Sequence, residues 1–538
     1  MLNHQIFNHR NIYYFGLILL AVSLPVSVFM MSVAQFILVI NWILEGNFNH
    51  KLQVLANRKS ILLFISIYFV HIICLIYTSY PEGFTGNCYN ALKDLRIKFP
   101  VLILPIIIGT SAGLDLRKLK LLLLLFIASV TASTLLSMSV LFGLIHRNIN
   151  DIRDISLYIS HIRFALLINM AIFSLGYFLF SKKYALYPFE KALFPVIIIW
   201  LTIFLFILQS LTGISVLIIS ILIVIGYWAS RLKKPAVRSA LIVMMVAIIL
   251  MLSFYIKTSV SKYYNIEQVN REVIETRTKS GNPYYHNFDS KSVENGHYVD
   301  LYICEKELRD EWNRISSFGY DAHDMKGQDL KYTLIRYLTS KGLRKDAEGI
   351  HQLTKDDIRL IEKGFANNIY INRFSLYPRI YEIIWELDLY FKGGDPSGHS
   401  LAQRIEYIKT GIRILKENFW FGVGTGDVQN SFDKQYEIMK TPLEKEYQRR
   451  AHNQFLTFFI SFGFTGFLWI MFAMLYPVCI ERRTKDYLFV IFLIIAFISM
   501  LSEDTWETQP GVTFFVFFYV LFLMGREKDI HIVSAKKT

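Results

Sequence analysis

Long apolar runs recur along almost the whole chain, and they restrict what it can fold into. They cover roughly residues 12–44, 61–79, 97–112, 119–145, 156–180, 192–208, 211–230, 239–256, 453–478, 487–501 and 511–525. A helix that crosses a bilayer needs about 20 mostly apolar residues. The chain is 53% hydrophobic, whereas about 45–50% is usual in soluble proteins. We therefore predict an all-α polytopic integral membrane protein.

The first apolar run is too long for one membrane helix. At about 1.5 Å per residue, a single helix over residues 12–44 would reach far beyond a hydrocarbon core about 30 Å thick. Pro25 lies near the middle of the run. We predict two short helices here, which brings the number of transmembrane helices to about twelve.

The charges of the loops predict the orientation, because Lys and Arg in short loops mark the cytoplasmic side. If the first run is a helix pair, the basic loops all fall on one side: Lys51/Arg58/Lys59, Arg117/Lys118/Lys120, Lys182/Lys183/Lys191, Arg231/Lys233/Lys234/Arg238 and Arg482/Arg483/Lys485, with Arg526, Lys528, Lys536 and Lys537 in the tail. Both termini are then cytoplasmic. These basic loops also explain the net charge of +14, so we expect membrane lipids as partners and no nucleic acid.

This topology predicts four parts of the chain. They are an N-terminal membrane bundle of about nine spans at residues 1–256, one large and mainly helical extracytoplasmic loop at 257–452, C-terminal spans at 453–525 and a cytoplasmic tail at 526–538. The later part of the loop, from residue 401, has a helical apolar period that could lie on the membrane or pack on the spans: Leu401, Ile405, Ile408, Ile412 and Leu415.

The sequence gives no reason to expect a metal or another cofactor. Its four cysteines are scattered without CxxC or Cys/His ligand spacing. Cys88 and Cys304 both lie in polar loops, and the sequence leaves open whether they pair. "GVGTGD" at residues 422–427 lacks the Lys-Ser/Thr of a phosphate loop, so we interpret it as a helix stop with close backbone packing.

Polar residues at the start of one middle span form the first candidate site. "SHIRF" places His161 and Arg163 about one turn inside a span that starts on the predicted outer side. The arginine can snorkel to the interface. Alternatively, it faces an internal cavity, where its planar fork can hold phosphate oxygens.

A second polar group stands directly before the run at 453–478. Arg449, Arg450, His452 and Asn453 lie there, on the same predicted side as Arg163. That side also carries Arg404 and the acidic turn "SEDTWETQPG". An interfacial histidine by itself is more often structural. Basic residues converging with a titratable imidazole, however, suit a polyanionic lipid head group and a hydroxyl that must lose a proton.

The order of these motifs resembles the O-antigen ligase and polymerase superfamily of bacterial envelope glycosyltransferases. "SHIRF" in a middle span is followed by a large outer loop, by Arg404 on the helix that leads to "NFWFGVGTGD", by "AHNQFLTFFISFGFTG" and by "SEDTWETQPGVTFF". The resemblance covers the twelve-span plan and is most specific at residues 400–525.

The resemblance implies an enzyme of the bacterial cytoplasmic (inner) membrane with a periplasmic active site. Family members pass a glycan from undecaprenyl pyrophosphate to lipid A core, a growing glycan or a protein. The implied catalytic residue is His452, and Arg163 and Arg404 are implied to contact the pyrophosphate. Ligases commonly carry a further arginine where this chain reads "LQSLTGIS", so Arg449 or Arg450 would supply that part.

The expected activity is therefore that of a metal-independent, inverting glycosyltransferase. Its partners would be an undecaprenyl-pyrophosphate-linked glycan donor and a glycolipid or glycan acceptor, bound with the help of His161 and Asn453. Ligase, polymerase and protein O-oligosaccharyltransferase differ in the acceptor, which the sequence does not reveal. A lipid or glycan transporter is the less favoured alternative, because no internal repeat is visible.

Overall fold

The computed structural model describes residues 8–76, 78, 87–147, 151–372 and 375–527, with the side chains of 87 and 88 excepted. From the N-terminus the helices are α1 (His9–Ser23), α2 (Val28–Leu44), α3 (Phe48–Asn57), α4 (Lys59–Ile73), α5 (Asn87–Lys98), α6 (Pro100–Thr110), α7 (Leu116–Leu141), α8 (His161–Phe180), α9 (Pro188–Ile207), α10 (Leu211–Arg231) and α11 (Pro235–Tyr264).

A small hairpin and five helices follow. They are β1 (Val293–Glu294), β2 (His297–Tyr298), α12 (Glu305–Ile315), α13 (Leu330–Ser340), α14 (Ala347–His351), α15 (Lys355–Glu362) and α16 (Tyr377–Phe391). The last helices are α17 (Ser400–Glu417), α18 (Val428–Met439), α19 (Gln454–Ile480), α20 (Tyr487–Met500) and α21 (Gln509–Leu523). The protein is thus mostly helical, as predicted.

Helices cover the predicted apolar runs, and the first run is divided. α1 ends at Ser23 and α2 begins at Val28, with Pro25 in the turn between them. The Ser27 side chain accepts a hydrogen bond from the Met30 amide and so caps α2. The predicted pair of short helices is confirmed.

Six helices of the described residues are long and apolar enough to cross a membrane: α7, α8, α9, α10, α11 and α19. α2 and α3 would add a seventh if this pair, bent by 111°, is one span. α4, α20 and α21 are apolar but have 15, 14 and 15 residues, so each is only about 21–23 Å long. The count of twelve spans therefore stays a prediction.

The chain forms two compact units, Met1–Tyr227 with Asp395–Thr538, and Trp228–Gly394. α21 is the centre of the first unit, because every residue from Gly511 to Leu523 is buried. A helix that is apolar all round belongs inside a bundle. α6 and α20 pack directly against it. The predicted parts, namely the N-terminal bundle, the large loop, the C-terminal spans and the tail, were defined by membrane topology. The two compact units therefore do not test that division. Residues 528–538 of the predicted tail lie outside the described residues.

The second unit combines α11 with a small helical core. α16 packs on α11, and the helices α12 to α15 surround fully buried side chains such as Leu308, Trp312, Tyr320, Leu334, Tyr337 and Ile361. Cys304 is buried in this unit. The side chain of Cys88, its possible disulfide partner, lies outside the described residues.

α17 is the helix predicted from residue 401 onward, and its apolar residues are divided between a packed side and an exposed side. Its buried side includes Tyr407, Thr410 and Ile414, whereas Ile408 and Ile412 are exposed. Small and aromatic residues allow close approach: a side chain at Gly411 would press on Leu456 and Ile460 of α19.

α17 ends at Glu417, five residues before the "GVGTGD" segment, so this segment is not the helix stop, but it does show the predicted close backbone packing. Gly422 and Gly463 both have positive φ, 73° and 63°, and a Cβ on either would overlap the backbone of the other segment. Gly463 interrupts the helical backbone inside α19, and the Phe464 amide donates to the Phe419 carbonyl at 2.7 Å. This packing holds α17 beside the start of α19.

Candidate functional site

An acidic turn between α20 and α21 forms the centre of the candidate site. The side chains of Glu503 and Glu507 expose only 16% and 12% of their surface. The turn is anchored by the fully buried Trp506, whose amide donates to the Gln454 side chain at 2.7 Å. A Cβ at position 511 would overlap the Thr505 carbonyl, so glycine is needed there. These contacts place three carboxylates beside the start of α19.

His452 stands directly before α19 in a strained backbone conformation. Its φ is +47°, which costs a non-glycine residue about 1–2 kcal/mol. Its amide donates to Asp504 Oδ2 at 3.0 Å, and its ring stacks on Tyr407 with 5.4 Å between centroids. Strain of this kind persists only where surrounding contacts impose it, and it concentrates at functional sites.

The imidazole of His452 is neutral at physiological pH and has an unused nitrogen. Burial, together with the charges of Arg404, Arg449 and Arg163, lowers its pKa to about 4. Nδ1 is enclosed and has no hydrogen-bond partner among the described residues. A neutral imidazole with an unpaired nitrogen can accept a proton.

Three arginines surround this histidine. Arg404 lies one turn from Tyr407 on α17, and its Nη2 donates to Glu503 Oε1 at 2.7 Å. Arg163, in the first turn of α8, acts electrostatically on Glu503 as well as on His452. Arg449 is exposed and adds to the positive field at His452. We name Arg163, Arg404, Arg449, His452 and Glu503 the open cluster, because three arginines act on one imidazole and only Arg404 of the three forms an ion pair among the described residues.

A second group of charges lies on the other side of the acidic turn. Glu507 Oε2 accepts from Lys98 Nζ and from Arg450 Nη1, both at 3.0 Å. Arg450 also reaches Asp94 Oδ2 at 3.4 Å. Burial alone would raise the pKa of Glu507, but Lys98 and Arg450 lower it below the usual value. We name Asp94, Lys98, Arg450 and Glu507 the paired cluster, because its two cations match its two carboxylates.

Asp504 connects the two clusters. Its carboxylate accepts from the His452 amide and, at 2.8 Å, from the Thr457 hydroxyl. Burial and the neighbouring carboxylates Glu507 and Glu503 raise the pKa of Asp504 to about 7. Its ionisation would therefore change the charge of the site near neutral pH.

The other residues predicted for substrate binding have different positions. Arg450 is committed to two carboxylates. Asn453 caps α19 by accepting from the Leu456 amide at 3.0 Å, and it donates to the Leu501 carbonyl at 2.9 Å. His161 begins α8 and is half-buried. In the "LQSLTGIS" turn, Thr212 Oγ1 lies 3.4 Å from Ser502 Oγ, beside the acidic turn. Whether Arg449 or Arg450 supplies the arginine that this turn lacks therefore stays a prediction.

Tyr407, Lys98 and Asp94 were not predicted. Tyr407 was accessible to sequence reasoning, because residues three apart on a helix share a face and Arg404 precedes it by three. Lys98 pairs with Glu507, which is 409 residues away, and no local sequence pattern indicates such a pair. Within the described residues, no group of three or more His, Cys, Asp or Glu side chains could hold a metal ion.

Part of the chain that contains these residues is similar to a known protein family. Residues 365–472 match the family model described as O-antigen ligase. The match includes Arg404 and residues 449–453, and it confirms the resemblance to the O-antigen ligase and polymerase superfamily. Members of that family are glycosyl-transfer enzymes, which supports a membrane-bound enzyme in general terms. A search of curated proteins finds no match.

Proposed function

From the O-antigen ligase match and the open cluster, we propose that this protein transfers a glycan from undecaprenyl pyrophosphate to an acceptor hydroxyl. The reaction takes place at the outer face of the bacterial cytoplasmic membrane. The observation that carries the proposal is the placement of three arginines and one carboxylate around a neutral, enclosed imidazole. Arg163 and Arg449 have no ion pair among the described residues, so their guanidinium groups can bind the oxygens of an anion.

The arginines suit the leaving group of this reaction. The acceptor oxygen forms a bond to the anomeric carbon, and the bond from that carbon to the pyrophosphate oxygen breaks. Its electron pair stays on the pyrophosphate, where Arg163, Arg404 and Arg449 stabilise the added charge. Guanidinium groups bind phosphate oxygens in a bidentate manner. A single displacement of this kind inverts the configuration at the anomeric carbon.

His452 suits the acceptor side. The neutral imidazole accepts, at the ring nitrogen that carries no hydrogen, the proton that the attacking hydroxyl loses. In the free protein burial and the charges of the arginines hold its pKa near 4, which makes it a weak base. A pyrophosphate seated among the same arginines offsets their charge and raises the pKa of the imidazole. Donor binding therefore prepares the base.

The test is transfer by purified protein in detergent, with a purified undecaprenyl-pyrophosphate-linked glycan and the matching acceptor. Because the donor is already activated and the arginines replace a metal, we expect transfer in EDTA and without ATP, with undecaprenyl pyrophosphate as the second product. An obligatory divalent metal or a nucleotide-sugar donor would contradict the proposal.

The acceptor is decided by deletion of the gene and gel analysis of the surface glycolipids. Free core together with unattached polymer indicates a ligase. Core capped with a single glycan unit indicates a polymerase, and normal glycolipids with an unmodified glycoprotein indicate a protein O-oligosaccharyltransferase.

The proposed location is tested with reporter tags. Tags after Arg231 and after Arg482 should report the cytoplasm, and tags within residues 290–400 should report the periplasm, because basic loops remain inside. Cytoplasmic tags within 290–400 would contradict the outer-face site.

A further inference from the structure

A large cleft lies inside the second unit. It has a volume of about 1,220 Å³, and its walls are the last turn of α11, strand β1 and the helices α13 and α16. Pockets for small ligands usually measure about 300–1,000 Å³. The cleft therefore has room for a ligand of several ring-sized units.

Exposed aromatic rings line this cleft. Tyr264, Tyr285, Tyr332 and Trp385 expose 53%, 61%, 57% and 40% of their surface. They come from four different parts of the unit, so their convergence is a product of the fold. Aromatic faces carry negative charge density and attract C–H groups, and tyrosine and tryptophan also offer a polar end. A sugar ring has an apolar C–H face and a rim of hydroxyl groups, which matches both properties.

The polar groups between the rings are held in place. Asp388 accepts from the hydroxyls of Tyr263 and Tyr264 at 3.5 and 3.3 Å, and Lys392 Nζ donates to it at 2.6 Å. Glu294 is buried and accepts from Arg336 Nε at 2.7 Å. Oriented carboxylate and guanidinium groups can accept from and donate to ligand hydroxyls without reorganisation.

The charges of the cleft are nearly balanced. Four carboxylates and three cations line it: Glu294, Asp300, Glu305 and Asp388, with Lys291, Arg336 and Lys392. A phosphate-bearing ligand would favour a clear excess of cations, as in the open cluster. A lipid chain would remove water from these seven charged groups without offering them a polar contact. A neutral polyhydroxylated ligand fits both constraints.

The cleft begins at the end of a candidate membrane span. Asn295 and Gly296, with φ of 49° and 89°, form the tight turn between β1 and β2. A Cβ at Gly296 would overlap the Asn265 carbonyl, and the Glu267 amide donates to the Gly296 carbonyl at 2.8 Å. The hairpin is thereby fixed to the residues that follow α11. The cleft is thus built directly on one end of this candidate span.

We propose that this cleft is a carbohydrate-binding site for a neutral oligosaccharide segment. The inference rests on the proposed function, because that function supplies two glycans, one on the donor and one on the acceptor. The site would hold the glycan through its rings and hydroxyls, separately from the pyrophosphate chemistry at His452. If the cleft does not bind glycan, this can be distinguished from a protein that does not transfer glycan, because binding is measured without turnover.

The experiment is calorimetric titration of the full-length protein in detergent with lipid-free glycans. One probe is the oligosaccharide released by mild acid from the undecaprenyl-linked donor, and the other is the core oligosaccharide released from lipid A. Saturable binding of either supports the site, and the probe that binds identifies its source. Absence of saturable binding of both probes would overturn the inference, even if the same preparation transfers glycan.

Variants locate the binding. Tyr332→Ala combined with Trp385→Ala should weaken it by about tenfold or more, the scale of removing anchoring aromatics. Phe391→Ala is the matched control, because Phe391 lies on α16, is 77% exposed and does not line the cleft. Tyr332→Ala alone removes a ring that is mostly exposed, so it keeps the test valid if the double variant misfolds. Unchanged binding in Tyr332→Ala and in a folded double variant would place the glycan elsewhere and overturn the inference.

Discussion

The open cluster and the paired cluster lie on either side of Asp504, and they differ in how their charges are balanced. Lys98 and Arg450 are matched by Asp94 and Glu507. In the open cluster three arginines act on His452, and of these only Arg404 forms an ion pair among the described residues, with Glu503. Buried cations that are paired with carboxylates connect helices to each other, whereas arginines without such partners can bind an anion. The comparison thus separates charges that stabilise the fold from charges available to a substrate.

Two adjacent residues illustrate the difference. Arg449 and Arg450 have the same chemistry and neighbouring positions, yet Arg450 binds Asp94 and Glu507 while Arg449 acts on His452. The backbone between α18 and α19 is not helical here. Consecutive side chains of an extended segment point to opposite sides, which sends the two arginines to different clusters.

The largest effect is expected from breaking the paired cluster. Glu507→Gln removes the charge that Lys98 and Arg450 share, and a buried pair that loses one partner costs about 3–5 kcal/mol. The measurement is the midpoint of thermal unfolding in detergent. Glu503→Gln is the matched control in the open cluster and should lose much less, because its partner Arg404 keeps 28% of its side chain exposed. Equal losses in the two variants would remove the distinction between the clusters.

The next effect concerns turnover. His452→Asn removes the base but keeps a residue that tolerates positive φ, which an alanine tolerates poorly. Transfer should fall about 100-fold, as expected for loss of a general base. The unfolding midpoint should stay near that of the unmodified protein. Near-full transfer at normal expression would make His452 an interface anchor.

A smaller effect is expected from Arg404→Lys. The variant keeps the charge but loses the fork that can hold two phosphate oxygens. We expect kcat/KM for the donor to fall about tenfold, which corresponds to about 1.4 kcal/mol. Arg413→Lys, at an exposed position of the same helix α17, serves as the control. If both variants behave alike, Arg404 does not contact the donor through its fork.

The smallest effect is a pH-dependent change in stability. The pKa of Asp504 is raised to about 7, so the stability that its protonation contributes is present below its ordinary pKa and is lost as pH rises through 7. Asp504→Asn imitates the protonated form. Relative to the unmodified protein, it should gain about 1 kcal/mol between about pH 6 and about pH 7.5. Thermal unfolding at both pH values measures this gain, and a constant difference would contradict the raised pKa.

The sequence predicted the helices and part of the site for physical reasons that act locally. Long apolar runs located the apolar helices, and Pro25 marked the break between α1 and α2. Placing Arg163, Arg404 and His452 on one side required only the alternation of basic loops. The structure brings these three residues together.

The remaining features depend on contacts between distant parts of the chain. Whether an arginine is matched depends on carboxylates hundreds of residues away, as in the pair of Arg450 with Asp94. The packing face of α17 combines Tyr407, Thr410 and Ile414 with Gly411, which lies close to α19. The aromatic cleft combines Tyr264 with Trp385, which no motif of the sequence connects.

The most direct test of the central claim is the pKa of the His452 imidazole with and without undecaprenyl pyrophosphate. Histidine-labelled protein is titrated by NMR, and the signal of His452 is identified by its loss in His452→Asn. We expect a pKa near 4 in the free protein and a rise toward the ordinary value of about 6.5 when the lipid binds, because its charge offsets the arginines of the open cluster. A pKa that is already ordinary in the free protein, or that does not change at saturating lipid, would contradict the account.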